Sequence, residues 1–180
     1  MANINLVGIS GSLRKGSHNS LLLAEAARLF GNADYAEADI NLPLYNADDE
    51  EAHGVPAAVD ALARQLADAD AILISSPEYN KGPSGALKNA LDWISRSETK
   101  PWGGKPVAVM SAAAGRAGGE RAQMILRAFL VPFRPRILQG PEIHLAASHE
   151  AFDGNGQLTG DIYVKELTEL MEALRAEISS

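Results

Sequence analysis

The chain has no cysteine. Disulfides, thiolate metal sites and cysteine nucleophiles are therefore excluded. Basic charge is also short: 16 Lys and Arg stand against 23 Asp and Glu, a formal net charge of -7. Nucleic-acid binding draws its general affinity from neutralised phosphates, and anionic membrane surfaces attract basic segments. Neither partner is expected for this chain. No apolar run reaches the length that crosses a bilayer. The opening residues Met1-Ala2-Asn3-Ile4-Asn5 carry neither a basic n-region nor a long apolar h-region, so no secretory leader is visible and a cytoplasmic location is the expectation. The dinucleotide fingerprint G-x-G-x-x-G is missing, because Ser10 stands where its second glycine belongs. Gly11 and Gly16 have the spacing of P-loop glycines, but Ser17 stands where that motif has its lysine. There is no H-E-x-x-H zinc motif and no G-x-S-x-G nucleophile elbow. Asp153-Gly154-Asn155-Gly156 starts like a calcium loop, yet Leu158 and Val164 occupy positions where that loop needs glycine and glutamate, so it reads as a turn. No metal site and no catalytic acid or base is assigned.

What is present begins with Gly8-Ile9-Ser10-Gly11-Ser12-Leu13-Arg14-Lys15-Gly16-Ser17-His18-Asn19. This stretch follows an apolar strand over residues 4–9 and precedes a helix over residues 20–30. A helix N-terminus has unpaired N–H groups and the positive end of the helix dipole. Glycines admit close approach of the backbone, and Ser10, Ser12, Ser17 and Asn19 add neutral donors. Arg14 adds a planar, permanently charged fork. The loop reads as a cradle for a phosphomonoester.

The remaining chain repeats β then α five times. Strands are expected over 34–40, 71–75, 107–111 and, broken at Gly140-Pro141, 136–145. Helices are expected after Pro56, which reads as a first-turn proline, after the N-cap candidate Ser84, over 120–130 and over 161–178. Residues 42–51 read as a loop whose acids Asp48, Asp49, Glu50 and Glu51 are solvated. The strands are short and continuously apolar, as strands buried on both faces are. With 180 residues and no linker, one α/β domain spanning 1–180 with a parallel sheet is expected. Ligands of such sheets bind at the carboxyl ends of the strands. Three loops leave that edge, each rich in glycine and small polar residues: 10–19, 76–82 and 112–119. In the second, Tyr79 offers a flat face and Asn80 a pairing edge, framed by Pro77 and Gly82. In the third, only Arg116 is large, so backbone N–H groups can come close to a ring.

Gly11-Ser12-Leu13-Arg14 with Ser17 and Asn19, then Pro77-Glu78-Tyr79-Asn80, then Leu87-Lys88-Asn89-Ala90-Leu91-Asp92-Trp93, resemble the NAD(P)H-dependent FMN reductases. That family includes bacterial quinone, azo-dye and chromate reductases. The resemblance covers nearly the whole chain in order. It implies a flavodoxin-like three-layer αβα sandwich with a five-stranded parallel sheet in the order 2-1-3-4-5. It also implies bound FMN, with NADPH or NADH as co-substrate. Ser10, Ser12, Leu13, Arg14, Ser17 and Asn19 would then hold the phosphate end, Pro77, Glu78, Tyr79 and Asn80 would surround the ring, and Ser111 and Gly115 would close the ring site. One departure is visible: many members have proline where this chain has Ser84, and Pro83 here comes one residue earlier. Hydride would pass from the nicotinamide through the flavin to a quinone, azo compound, free flavin or metal oxyanion, in ping-pong order. Relatives suggest a homodimer or homotetramer. The alternative is an electron carrier of the flavodoxin type. Such carriers generally use a threonine-rich phosphate loop, and Arg14 speaks against that reading.

Overall fold

Leu6 and Val7 are adjacent in the chain and belong to different cores. Leu6 packs with Leu22, Leu23, Ala26, Leu170 and Leu174, whereas Val7 packs with Leu62, Leu66, Leu91 and Leu126. Successive side chains of a strand point to opposite faces, so a run that is apolar at both parities needs cover on both sides. The computed structural model describes residues 3–179. Met1 and Ala2, which begin the stretch read for a leader, lie outside the described residues, as does Ser180.

The strands are β1 (Asn5–Ser10), β2 (Asp34–Glu37), β3 (Ala71–Ser76), β4 (Pro106–Ala112), β5 (Arg136–Ile137) and β6 (Ile143–Leu145). All pair in parallel, in the order β2-β1-β3-β4-β5, with β6 on the later part of β4. Helices α1 (His18–Phe30) and α6 (Asp161–Ile178) cover one face. Helices α3 (Ala57–Ala67), α4 (Gly85–Arg96) and α5 (Glu120–Leu130) cover the other. Leu73 and Met110 face the first layer while Ile72, Ile74, Val107 and Val109 face the second. This is the flavodoxin-like sandwich and strand order that the family resemblance implies, with a sixth strand added. The order reverses between β1 and β3, which places the switch point of the sheet at their carboxyl ends.

Four elements differ from the sequence reading. The broken fifth strand is two strands, because the segment around the cis bond Gly140-Pro141 leaves the ladder. Arg136 and Ile137 pair with the start of β4, and residues 143–145 pair with its end. The second strand stops at Glu37, followed by one further bond from the Ala38 N–H to the Gly8 carbonyl (2.8 Å). It is the sheet edge, and its acids Asp34 and Glu37 leave little apolar surface to extend it. Pro56 sits at the N-cap of α3 rather than in its first turn. Finally, residues 42–51 are not a free loop. They include the start of helix α2 (Ala47–His53), capped by Asn46. This segment is pinned to α4: the Pro43 carbonyl accepts from Trp93 Nε1 (2.7 Å) and Asn89 Nδ2 (2.9 Å), and Glu50 pairs with Arg96 (2.8 Å) and Tyr45 Oη (3.0 Å).

Candidate active site

A cleft of about 770 Å³ opens at the carboxyl ends of β1, β3 and β4. That volume is in the range of cofactor sites. Its floor is held by backbone and buried side chains rather than by loop flexibility. The Gly11 N–H donates to the Ser75 carbonyl (2.7 Å). A Cβ on Gly11 would stand 2.9 Å from Pro77 Cδ, so only glycine lets the first and second loops touch there. Ser84 Oγ donates to the Gly11 carbonyl and accepts from the Leu87 N–H (3.1 Å). The departure at this position therefore has a structural meaning. A serine caps α4 and ties the phosphate loop to it, two tasks proline cannot perform.

The first loop folds on its own hydroxyls. Ser12 N–H bonds Ser10 Oγ (3.3 Å), and Arg14 N–H bonds Ser12 Oγ (3.3 Å). Ser17 caps α1, its Oγ accepting from the N–H groups of Asn19 (3.2 Å) and Ser20 (3.4 Å). Asn19 is buried, and its amide is a clamp. Oδ1 accepts from Ser75 Oγ (2.8 Å) and the Ala112 N–H (3.0 Å), while Nδ2 donates to the Ala112 carbonyl (3.0 Å). It thus holds the α1 N-terminus against the ends of β3 and β4. Arg14 is exposed and, among the described residues, its guanidinium has no ion-pair partner.

The second loop makes a tight turn. Tyr79 and Gly82 exchange both backbone bonds (2.9 and 3.1 Å), and Asn80 and Lys81 between them have φ of 51° and 72°. Two positive φ values make this a primed turn, which turns the Tyr79 side chain outward; that side chain is 54% exposed. Glu78 reaches the third loop instead. Its carboxylate accepts from the Ala122 N–H (3.3 Å), in the first turn of α5, whose N-cap Gly119 has no side chain to do so. Lys81 Nζ lies 3.9 Å from the same carboxylate. The third loop is rigid at its end. Gly118 has φ of 59°, and a Cβ there would stand 2.2 Å from the His144 carbonyl oxygen. Ser111 is fully buried; its Oγ donates to the Gly118 carbonyl (2.6 Å) and accepts from Gln123 Nε2 (2.9 Å).

Of the sequence-predicted residues, Ser12, Arg14, Ser17, Asn19, Pro77, Glu78, Tyr79 and Gly115 line the cleft. Ser10 and Leu13 face an adjoining hollow of about 400 Å³, which Ser12 and Arg14 share. Asn80 lies on the exposed tip of its turn, outside the cleft lining, and Ser111 is turned into the protein. Sequence reasoning missed His18, Ser148 and His149. The last two arrive from a fourth loop, after β6, which leaves the same sheet edge as the other three. His18 Nδ1 stands 3.0 Å from Ser148 Oγ, and its ring lies 6.0 Å from that of Phe152. Burial, then the nearby Arg14 charge, then His149 hold the His18 pKa below its ordinary value. The cleft rim carries Arg14, Lys81, Arg116 and Arg121 against Glu78 and Glu120. In a chain of net charge -7 this is a local patch of the opposite sign.

A parallel sheet of this order, with a cofactor-sized cleft at its switch point and an arginine-bearing loop at its first crossover, defines a flavodoxin-like domain built to bind a phosphate-bearing ligand. Comparison with known proteins makes this specific. The model of the family described as NADPH-dependent FMN reductase matches residues 4–150. An NAD(P)H-dependent FMN reductase of Pseudomonas aeruginosa is 43% identical over 175 residues, 96% of this chain and 94% of that protein. A quinone reductase of Escherichia coli is 40% identical over 146 residues, 77% of this chain and 76% of that protein. The solved structure of a flavoenzyme NAD(P)H:(acceptor) oxidoreductase from Paracoccus denitrificans superposes with a TM-score of 0.87 at 32% identity, covering 98% of this chain and 97% of that one. The chain belongs to the NADPH-dependent FMN reductase family. No helix among the described residues is long and apolar enough to cross a membrane.

Proposed function

We propose that this chain, as a single domain over residues 1–180, holds FMN in the cleft and moves electrons from NAD(P)H to small planar or oxyanionic acceptors in ping-pong order. The acceptors are quinones, azo compounds, free flavin or metal oxyanions. The observation that carries the reading is the joining of an arginine-bearing hydroxyl loop and a solvent-facing tyrosine in one cleft of about 770 Å³. The donor set fits a phosphomonoester with a flat ring. Ser12, Arg14 and Ser17, with Ser10 and Leu13 shaping the loop, would hold the phosphate end. Asn19 sets the position of that loop through its clamp on Ala112 and Ser75. Pro77, Glu78, Tyr79 and Asn80 would frame the ring on one side and Gly115 on the other, with Ser111 bracing Gly118 beneath.

The flavin, when bound, supplies reversible two-electron chemistry, so the chain needs no acid–base pair of its own. What the chain contributes is orientation. The clamped loops fix the cleft before ligand arrives, and such preorganisation lowers the cost of aligning reactants. Glu78, accepting from the Ala122 N–H, ties the second loop to the start of α5. The open face beside exposed Tyr79 is where nicotinamide and acceptor would take turns, the arrangement that ping-pong order requires.

The test is direct. The purified protein should show flavin absorbance bands, alone or after incubation with FMN. Initial rates against NADPH at several quinone concentrations should give parallel double-reciprocal lines. Intersecting lines would remove the ping-pong order, and a protein that stays colourless would remove the cofactor. Cytoplasmic residence and assembly as a homodimer or homotetramer belong to the same proposal, read by cell fractionation and sedimentation velocity.

A further inference from the structure

The fourth loop brings Ser148 to the cleft against His18 of α1, two groups that the reading above leaves without a task. Ser148 is 2% exposed, and its hydroxyl stands 3.0 Å from His18 Nδ1. His18 itself is half-buried, lines the cleft, and is the residue directly after the Ser17 cap. Because Nδ1 is taken by Ser148, Nε2 is the ring nitrogen left for a ligand. Phe152 lies against the ring from the same fourth segment. The pair thus joins the phosphate loop to the β6–α6 connection across the cleft wall.

The titratable groups beside His18 come from several elements. Arg14 comes from its own loop, and His149 from the fourth loop, where Glu150 pairs with it at 3.3 Å. On the other walls stand Glu78 and Lys81 from the second loop, and Arg116, Glu120 and Arg121 from the third. Without an anion, burial and the Arg14 charge disfavour the protonated imidazole. A phosphate dianion between Arg14 and His18 reverses that balance.

Resting on the FMN reading above, we infer that His18 and Ser148 form a proton-coupled half of the phosphate cradle. Binding of the phosphate takes up a proton from solvent on the His18 ring. Nε2–H then donates to a phosphate oxygen, while Nδ1–H donates to Ser148 Oγ. Arg14 supplies fixed charge, and His18 supplies charge only when the ligand is present.

The experiment is calorimetric titration of apoprotein with FMN, and with riboflavin, which lacks the phosphate, in two buffers of different ionisation enthalpy. Titrations run from pH 6.5 to 8.5 on the wild type, His18→Gln and Ser148→Ala, with circular dichroism confirming fold. Wild-type FMN binding should take up a fraction of a proton, and its Kd should rise about tenfold across that range. His18→Gln should bind FMN more weakly at pH 6.5, with its proton uptake and slope reduced to what the phosphate's own titration, with a second pKa of about 6, leaves. Ser148→Ala should show a reduced slope. Riboflavin should show no slope with any of the three proteins. FMN binding by folded His18→Gln with the wild-type Kd and slope overturns the inference and leaves the FMN reading intact. An equal slope for riboflavin also overturns it, because the phosphate would not be involved. A wild type that binds neither ligand removes the FMN reading, and this inference with it.

Discussion

At the scale of single residues, the cleft separates groups that hold shape from groups left free to meet a ligand. Arg14 is the clearest free group. It is exposed, its guanidinium bonds nothing else described, and a charged hydrogen bond to phosphate is worth about 1.5–3 kcal/mol. Arg14→Ala should therefore raise the FMN Kd by roughly ten- to a hundredfold while leaving the melting temperature of the apoprotein unchanged. Fluorescence quenching and a thermal melt check both halves, and an unchanged Kd would take Arg14 out of the site. Lys81 is the converse case. It holds φ of 72° at the second position of a primed turn, where a side chain costs about 1 kcal/mol and glycine costs little. Its contact with Glu78 at 3.9 Å is long and half in water, too weak to offset that strain. Lys81→Gly should stabilise the fold by about 0.5–1 kcal/mol in urea unfolding.

At the scale of elements, the third loop is built of small residues and yet is held tightly at its end. Gly118 leaves no room for a side chain against the His144 carbonyl, so Gly118→Ala must move β6 or the loop. A loss of about 3 kcal/mol is expected in denaturant unfolding, with FMN binding impaired in whatever remains folded. Helix α2 gives a pH prediction. The Arg96 hydrogen bond, the largest effect, holds the Glu50 pKa below its ordinary value. A carboxylate with a depressed folded pKa stabilises above its ordinary pKa and stops doing so as pH falls through the depressed value. Limited proteolysis should accordingly find residues 47–53 more open in Glu50→Gln than in the wild type at pH 7, the difference vanishing in strong acid. These elements also show what the sequence made legible. Strands β1, β3 and β4 and the large helices follow from apolar periodicity, because burial of both faces is written in local composition. The α2 anchorage was not legible, since the Trp93–Pro43 and Glu50–Arg96 contacts span about fifty residues and leave no local trace. The same holds for the site. Motif residues such as Ser12, Arg14 and Tyr79 declare themselves, whereas Ser148 becomes visible only when β6 is paired to β4 and its loop is carried to the cleft. Ser111 and Asn19 fall between these cases: their types suit a ligand, but their polar atoms are taken by Gly118, Gln123, Ala112 and Ser75.

For the whole molecule, the distribution of charge matters more than its sum. A chain of net charge -7 repels a nucleotide at long range, yet its cleft rim holds Arg14, Lys81, Arg116 and Arg121. At 0.15 M salt the screening length is about 8 Å, so the distant acids are muted while rim cations within contact reach of a ligand still act. Lowering the salt extends both fields, and the two oppose each other outside the cleft. Inside it, low-dielectric walls favour the nearer cations. The net expectation is a KM for NADPH that rises with ionic strength, because its phosphates meet the rim, against a KM for a neutral quinone that stays flat. Charge reversal at the rim separates local from global effects. Arg116→Glu changes the net charge by only two in a chain that already carries -7, but it inverts one wall of the cleft. If the rim acts, this variant should raise the KM for NADPH by about tenfold, and more than it does for NADH, which lacks the 2′-phosphate. If the total charge acts, a double substitution that adds the same charge at the far, C-terminal end of α6, Ala176→Glu with Ser179→Glu, should do as much. Steady-state kinetics of the two variants at 20 and 200 mM salt decide between them, and equal effects would show that the cleft does not focus the field.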